Sequence, residues 1–147
     1  RGNWEGSDLH EVVGEAMRPF LRSNTERQIS VEGPQVRLRP KVALSLGMAF
    51  HELATNASKY GALSVAGGQV AIWWTSALAG TVPHMELFWK EQGGPTVKPR
   101  SRRGFGSRLI EQGLAHELGG SALLEYLPSG INCRINFPLL PVEEEAP

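Results

Sequence analysis

Residues 51–61, His-Glu-Leu-Ala-Thr-Asn-Ala-Ser-Lys-Tyr-Gly, constrain this chain more than any other stretch. Glu52, Asn56 and Lys59 stand at i, i+4 and i+7 inside a strongly apolar helical segment. At about 100° per residue they fall within an arc of roughly 60° on the helix surface. Ser45 lies beside that stripe. Leu46, Ala49, Leu53 and Tyr60 flank one side, Leu44 and Met48 the other. A polar stripe between two apolar ones suggests one wall of a partly enclosed groove. A carboxylate, an amide oxygen and an ammonium in a row suit a hydrated Mg²⁺ held against a polyphosphate. The same spacing also describes an exposed helix face with a Glu-to-Lys pair. The stripe therefore needs support from elsewhere in the chain.

The flanking pattern alternates helices and strands. Ser7-Asp8 is an N-cap signal for a first helix over 8–22, with Leu9, Val12, Val13, Ala16, Met17 and Phe20 as its apolar face. Residues 27–32 alternate as a strand, Gly33-Pro34 turns the chain, and 36–38 is a short extended piece. Pro40 opens the second helix, and Tyr60-Gly61 is its stop. Residues 69–75 and 85–89 make an antiparallel strand pair rich in aromatic and β-branched residues. A third helix over 106–118 ends at Gly119-Gly120, and 122–126 with 132–137 form a last hairpin around Pro128-Ser129-Gly130. This order predicts an α+β two-layer sandwich: a mixed, largely antiparallel sheet with helices on one face. Residues 1–140 form one domain and 141–147 a disordered acidic tail.

Charge excludes some partners. Fifteen Lys and Arg balance fifteen Asp and Glu, so nothing draws the chain in bulk to nucleic acid or anionic membrane. No apolar run reaches the length of a membrane span and no signal peptide is visible. Cys133 has no internal partner and sits in a strand, as a small buried residue would; the expectation is a cytoplasmic protein. The chain opens at Arg1 without a methionine, as an excised piece of a larger protein would. His10, His84 and His116 lack metal-ligand spacing.

Two glycine segments supply the missing support. Glu91-Gln92-Gly93-Gly94 follows a strand, placing a carboxylate beside glycines that let backbone approach a flat ring. Gly104-Phe105-Gly106-Ser107 precedes the third helix, whose first N–H groups and dipole favour anionic phosphate. Lys98, Arg100, Arg102, Arg103 and Arg108 crowd the intervening loop, suited to neutralising that charge.

Together these segments resemble an ATPase and kinase superfamily that contains gyrase, MutL and the histidine kinases. Glu52…Asn56…Lys59-Tyr60-Gly61 is similar to its N-box, Glu91-x-Gly93-Gly94 to its first glycine box, and Gly104-Phe105-Gly106 to its second. His51 directly before the N-box glutamate, and Trp89-Lys90-Glu91 at the first glycine box, resemble the marks of the HWE sensor histidine kinases. The resemblance spans Trp4 to Pro138. It departs from the superfamily in having Glu91 for the usual aspartate, no phenylalanine box, and Ile131 where a threonine often follows the last-hairpin glycine.

The resemblance implies a Bergerat-type ATP-binding fold, with ATP and Mg²⁺ as ligands. Asn56 would ligate Mg²⁺, and Glu52 would order its water or polarise the attacking group. Lys59 would contact phosphate, with Tyr60 lining the pocket. Glu91 would accept the adenine amino group, while Gly93 and Gly94 admit the ring. Arg103, Gly104, Phe105, Gly106 and Ser107 would hold the triphosphate, and 92–103 would form an ATP lid. The implied activity is γ-phosphoryl transfer to a histidine on a separate dimerisation domain, followed by relay to a response-regulator receiver. A stand-alone serine kinase of the anti-sigma type, and a degenerate nucleotide-binding module, are the competing expectations. His51 points about 100° away from the polar stripe, which suits helix packing better than a role as phosphoacceptor.

Overall fold

The computed structural model describes residues 7–21, 28–97 and 109–139. In chain order these form β1 (Ser7–Asp8), α1 (Leu9–Met17), β2 (Ile29–Glu32), β3 (Arg37–Leu38), α2 (Pro40–Lys59), β4 (Gln69–Ala79) and β5 (Val82–Gln92). A π-helical segment, Leu109–Leu114, then runs into α3 (Ala115–Leu118), followed by β6 (Ser121–Leu127) and β7 (Gly130–Pro138). Short 3₁₀ turns follow α1 at Arg18–Phe20 and α2 at Ala62–Ser64.

The main sheet has the order β2-β4-β5-β7-β6. Only β2 and β4 run parallel, with Ile29 opposite Val70; the other three pairings are antiparallel. A parallel neighbour requires a crossover, and α2 lies in the connection between β2 and β4. β1 and β3 pair separately, Ser7 opposite Leu38.

Period-two alternation decides which face is covered. Register sets Ile72, Trp89, Cys133 and Leu124 side by side, all buried. Against that face pack Leu9, Val13 and Met17 of α1 and Leu46, Phe50 and Leu53 of α2, in one core. Each such side chain contributes roughly 1.5–3 kcal/mol by leaving water. The opposite face carries Trp73 stacked on Phe88, ring centroids 4.9 Å apart, and an Arg134–Glu86 ion pair. The result is the mixed two-layer sandwich expected from the residue pattern. No helix among the described residues is long and apolar enough to cross a membrane.

Local differences from expectation have simple causes. The α-helix of the first segment ends at Met17 rather than 22, because Pro19 cannot donate within a helix and the chain tightens into a 3₁₀ turn. Asp8 does cap it, its carboxylate accepting from His10 N at 3.0 Å. Gly61 follows α2 but is not left-handed, at φ −114°, so its place there has another reason, given below. Gly119 is left-handed, φ 71°, and stops α3 as a glycine C-cap should. The start of the third expected helix, the second half of the lid (98–103), and the tail from 140 lie outside the described residues.

Candidate functional site

The N-terminal Pro at the first position of α2 costs no hydrogen bond, and the helix runs twenty residues in all. Phe50, Leu53, Ala54 and Ala57 are buried, which turns Glu52 and Asn56 to the rim of the core, both partly exposed. The two side chains meet: Asn56 Nδ2 donates to Glu52 Oε2 at 3.3 Å. That bond occupies the amide nitrogen and not the carbonyl oxygen, the atom a hard cation would take. Lys59 is exposed and Tyr60 is 48% exposed at the end of the same helix. The stripe is therefore a real surface feature with its acidic end half sheltered.

Glu91 is different in kind. It is only 2% exposed, on the covered face of β5 opposite Val70. Its Oε1 accepts the backbone N–H of Ala62 at 3.0 Å and its Oε2 the indole N–H of Trp89 at 2.9 Å. Burial pushes its pKa above the ordinary carboxylate value, and the two donors pull it partway back. The bond to Ala62 ties β5 to the turn that follows α2. Glu91 and the Glu52/Asn56 pair thus share one structural unit.

Glycines let backbone close around this carboxylate. A Cβ at Gly61 would collide with Glu91 Oε1, which is why glycine follows α2 without a left-handed turn. At Gly94 a Cβ would lie 2.7 Å from Ala62 Cα, and at Gly93, φ +75°, 2.6 Å from the Gly67 carbonyl oxygen. Gly130, φ +151°, lies against the Glu91 backbone. Gly93 and Gly94 therefore serve close backbone packing against 61–68, a structural reason for glycine at both positions. Nearby, Val97 N donates to Pro128 O at 3.3 Å, fastening the start of the expected lid to the last hairpin.

Two contributors do not stand among the expected site residues. Gln28 is 7% exposed, and its Nε2 lies 2.7 Å from Gly68 O, 2.8 Å from Val65 O and 3.4 Å from Ala62 O. It latches the whole 62–68 segment, yet nothing in the sequence couples positions 28 and 68. Trp89 stood only as a family mark. Its burial and its bond to Glu91 make it part of the site.

A groove of about 1240 Å³ runs between α1 and α2, lined by Val12, Leu44, Gly47, Met48, His51 and Glu52 among others. Leu21, Leu44 and Met48 are its exposed large apolar residues, so the second apolar flank of the stripe faces α1. The groove reaches the stripe only at Glu52. His51 packs its ring 5.5 Å from Phe20, in keeping with a helix-packing residue. Among the described residues no three His, Cys, Asp or Glu side chains cluster as a ligand set. Arg103, Gly104, Phe105, Gly106 and Ser107 lie outside the described residues.

No family profile matches the chain. It is 36% identical over 139 residues to a blue-light-activated histidine kinase of Brucella ovis, covering 95% of this chain and 28% of that protein. Against blue-light-activated histidine kinase 1 of Erythrobacter litoralis the identity is 39% over 138 residues, covering 92% and 37%. The chain thus spans about a third of the length of these relatives. In structure it resembles the histidine kinase domain of an Erythrobacter litoralis blue-light-activated kinase, TM-score 0.66 at 18% identity, over 89% of this chain and 59% of that one. The histidine kinase domain of the E. coli osmosensor EnvZ superposes with TM-score 0.61 at 18% identity, over 98% and 94%. By sequence the chain belongs to the histidine kinases, and it shares the fold of the histidine kinase domains that it resembles.

Proposed function

We propose that this chain is the ATP-binding catalytic domain of an HWE-type sensor histidine kinase. It would transfer the ATP γ-phosphoryl group to a histidine on a separate phosphoacceptor domain, for relay to a response regulator in the cytoplasm. The observation that carries the proposal is the turn after α2. Through Ala62 it joins a buried purine-edge acceptor, Glu91, to a helix presenting Asn56 and Glu52. A base site and a metal-phosphate site are thereby held in fixed relation.

The residues suit the ligands. Asn56 offers a carbonyl oxygen left unused by its bond to Glu52, which fits a single-ligand Mg²⁺ site of the kind that keeps most of its waters. Mg²⁺ would supply charge neutralisation on the phosphates. Glu52, half sheltered and hydrogen-bonded, is held where it can accept a proton from an attacking imidazole or order a metal-bound water. Lys59 adds an exposed cation at the helix end. Arg103 and the 104–107 segment are assigned to the triphosphate, and 92–103 to the lid, by resemblance alone.

The test is a titration of Mg-ATP against the wild-type chain and Asn56→Ala. The expected result is binding by the wild type and at least about tenfold weaker binding by the variant, the loss of one charge-assisted ligand. Equal affinities would remove the metal assignment. Acid-labile phosphate on a supplied phosphoacceptor domain is expected, whereas acid-stable phosphate would point to a serine kinase.

A further inference from the structure

A sheet edge presents unpaired N–H and C=O groups, and most of the edge in this molecule is blunted. β2 is four residues long and carries Glu32, exposed. β6 carries Glu125, exposed, and its Leu124 N–H is taken by Glu111 Oε2 at 3.0 Å. The far end of β4 is different. β2 covers only Val70–Trp73 of this eleven-residue strand. Beyond Glu32 the chain turns at Gly33-Pro34, where proline has no N–H to continue the ladder. Trp74 holds that turn against the covered face. Its indole donates to Pro34 O at 2.8 Å, and a Cβ at Gly33 would collide with its ring.

What remains is Thr75–Ala79, five consecutive exposed residues whose only strand partner is β5. Their pairing with Val82–Glu86 runs without a bulge, so alternate residues aim N–H and C=O away from β5 along one edge. Among the described residues no other backbone hydrogen bond reaches them. The stretch holds no charge and no proline, two of the devices that prevent edge-to-edge pairing. Leu78 is 70% exposed on it.

Charge selects the occupant. A strand bearing Lys or Glu would find no counter-charge on Thr75–Ala79, whereas a second copy of the same stretch meets it with no like charges opposite. Nor do whole copies repel, since fifteen cations balance fifteen anions. We propose that the free edge of β4 pairs antiparallel with that of a second copy, joining two five-stranded sheets across a two-fold axis. Ala77 is the midpoint of the free stretch, so pairing along its whole length sets Ala77 against the same residue of the second copy. Five strand residues are far fewer than the roughly 20–30 a side of a standard interface, so the dimer is weak and exchanging.

The test is sedimentation equilibrium of the 147-residue chain, from about 10 µM to about 1 mM. A monomer–dimer equilibrium is expected, with a dissociation constant of about 10⁻⁴ M. Ala77→Lys changes an exposed residue and is expected to weaken association at least about fivefold by setting like charges opposite, as is Ala77→Glu. An equimolar mixture of the two variants is expected to regain it, because a symmetric contact through residue 77 then sets Lys against Glu. Amide exchange gives a readout without substitution: Thr75–Ala79 should exchange more slowly as the wild-type concentration rises. A wild-type chain that stays monomeric to about 1 mM overturns the proposal. So does a dimer that both variants leave intact, or one that leaves exchange at 75–79 unchanged, since the contact then lies elsewhere. A mixture of the variants that stays monomeric overturns the symmetric pairing.

Discussion

Asn56 donates its side-chain amide to Glu52 across one helical turn, 3.3 Å from nitrogen to oxygen. The bond fixes the orientation of both groups, because an amide that gives its nitrogen to one neighbour must present its oxygen to the other side. Glu52→Gln preserves an oxygen that can accept this bond and removes only the charge and basicity. Mg-ATP affinity is expected to stay within about threefold, while phosphotransfer to a supplied phosphoacceptor domain falls by about 10²–10⁴, the usual range for a lost general base. Isothermal titration beside a single-turnover assay separates the two. Unchanged turnover would remove Glu52 from the chemistry.

Glu91 gives a pH signature. Its folded-state pKa is raised, chiefly by burial, above the ordinary value of 4.5, so the folded chain holds that proton more tightly than the unfolded one. Its contribution to stability is full below 4.5 and declines as pH rises through the folded value. Glu91→Gln removes that decline. It also sets an amide N–H₂ against the donors of Ala62 or Trp89, a pH-independent cost of about 1–3 kcal/mol. Urea unfolding between pH 4 and pH 8, in steps of about one unit, is expected to show the wild type losing stability with rising pH relative to the variant. Parallel profiles would refute the assignment.

Gln28→Ala leaves three carbonyls of the 62–68 segment without their shared donor. The expected cost is about 1–3 kcal/mol, and faster amide exchange should be confined to 62–68 and to its neighbour across Gly93. Nucleotide affinity should fall with it, since that segment carries the Ala62 donor to Glu91.

Cys133 is buried, and desolvation, followed by the nearby Glu111 charge, pushes its thiol up to about 12. Native protein at pH 8 is therefore expected to leave Ellman's reagent unreacted over minutes, and to react with one equivalent on denaturation. Rapid labelling of the native chain would show that this strand opens.

What could be seen in the residues alone follows physical range. Helix and strand placement came from local periodicity, and α2, β4, β5 and the final hairpin lie where the apolar spacing puts them. The covered face follows from alternation once the register is known. The stripe at Glu52 and Asn56 is a property of one helix, so its geometry was legible. Contacts between distant segments were not. Gln28 meets Gly68 across forty residues, and Gly61 is shaped by Glu91 from another element. Trp89 next to Glu91 showed as a pattern, and only the shared strand face reveals it as a donor.

The parallel pairing of β2 with β4 has a consequence for how the molecule assembles. Hairpins β4–β5 and β6–β7 close short loops and can form early, whereas β2 must wait for α2 to cross between the strands. Gln28, one residue before β2, arrives with it and only then pins 62–68 beneath Glu91. The corner beneath Glu91 is thus completed by long-range contacts, which close later than the local hairpins. A newly made molecule would be nearly folded before this corner closed, and a ligand that binds only the closed corner, as proposed for ATP, would act as a late adhesive for the finished fold.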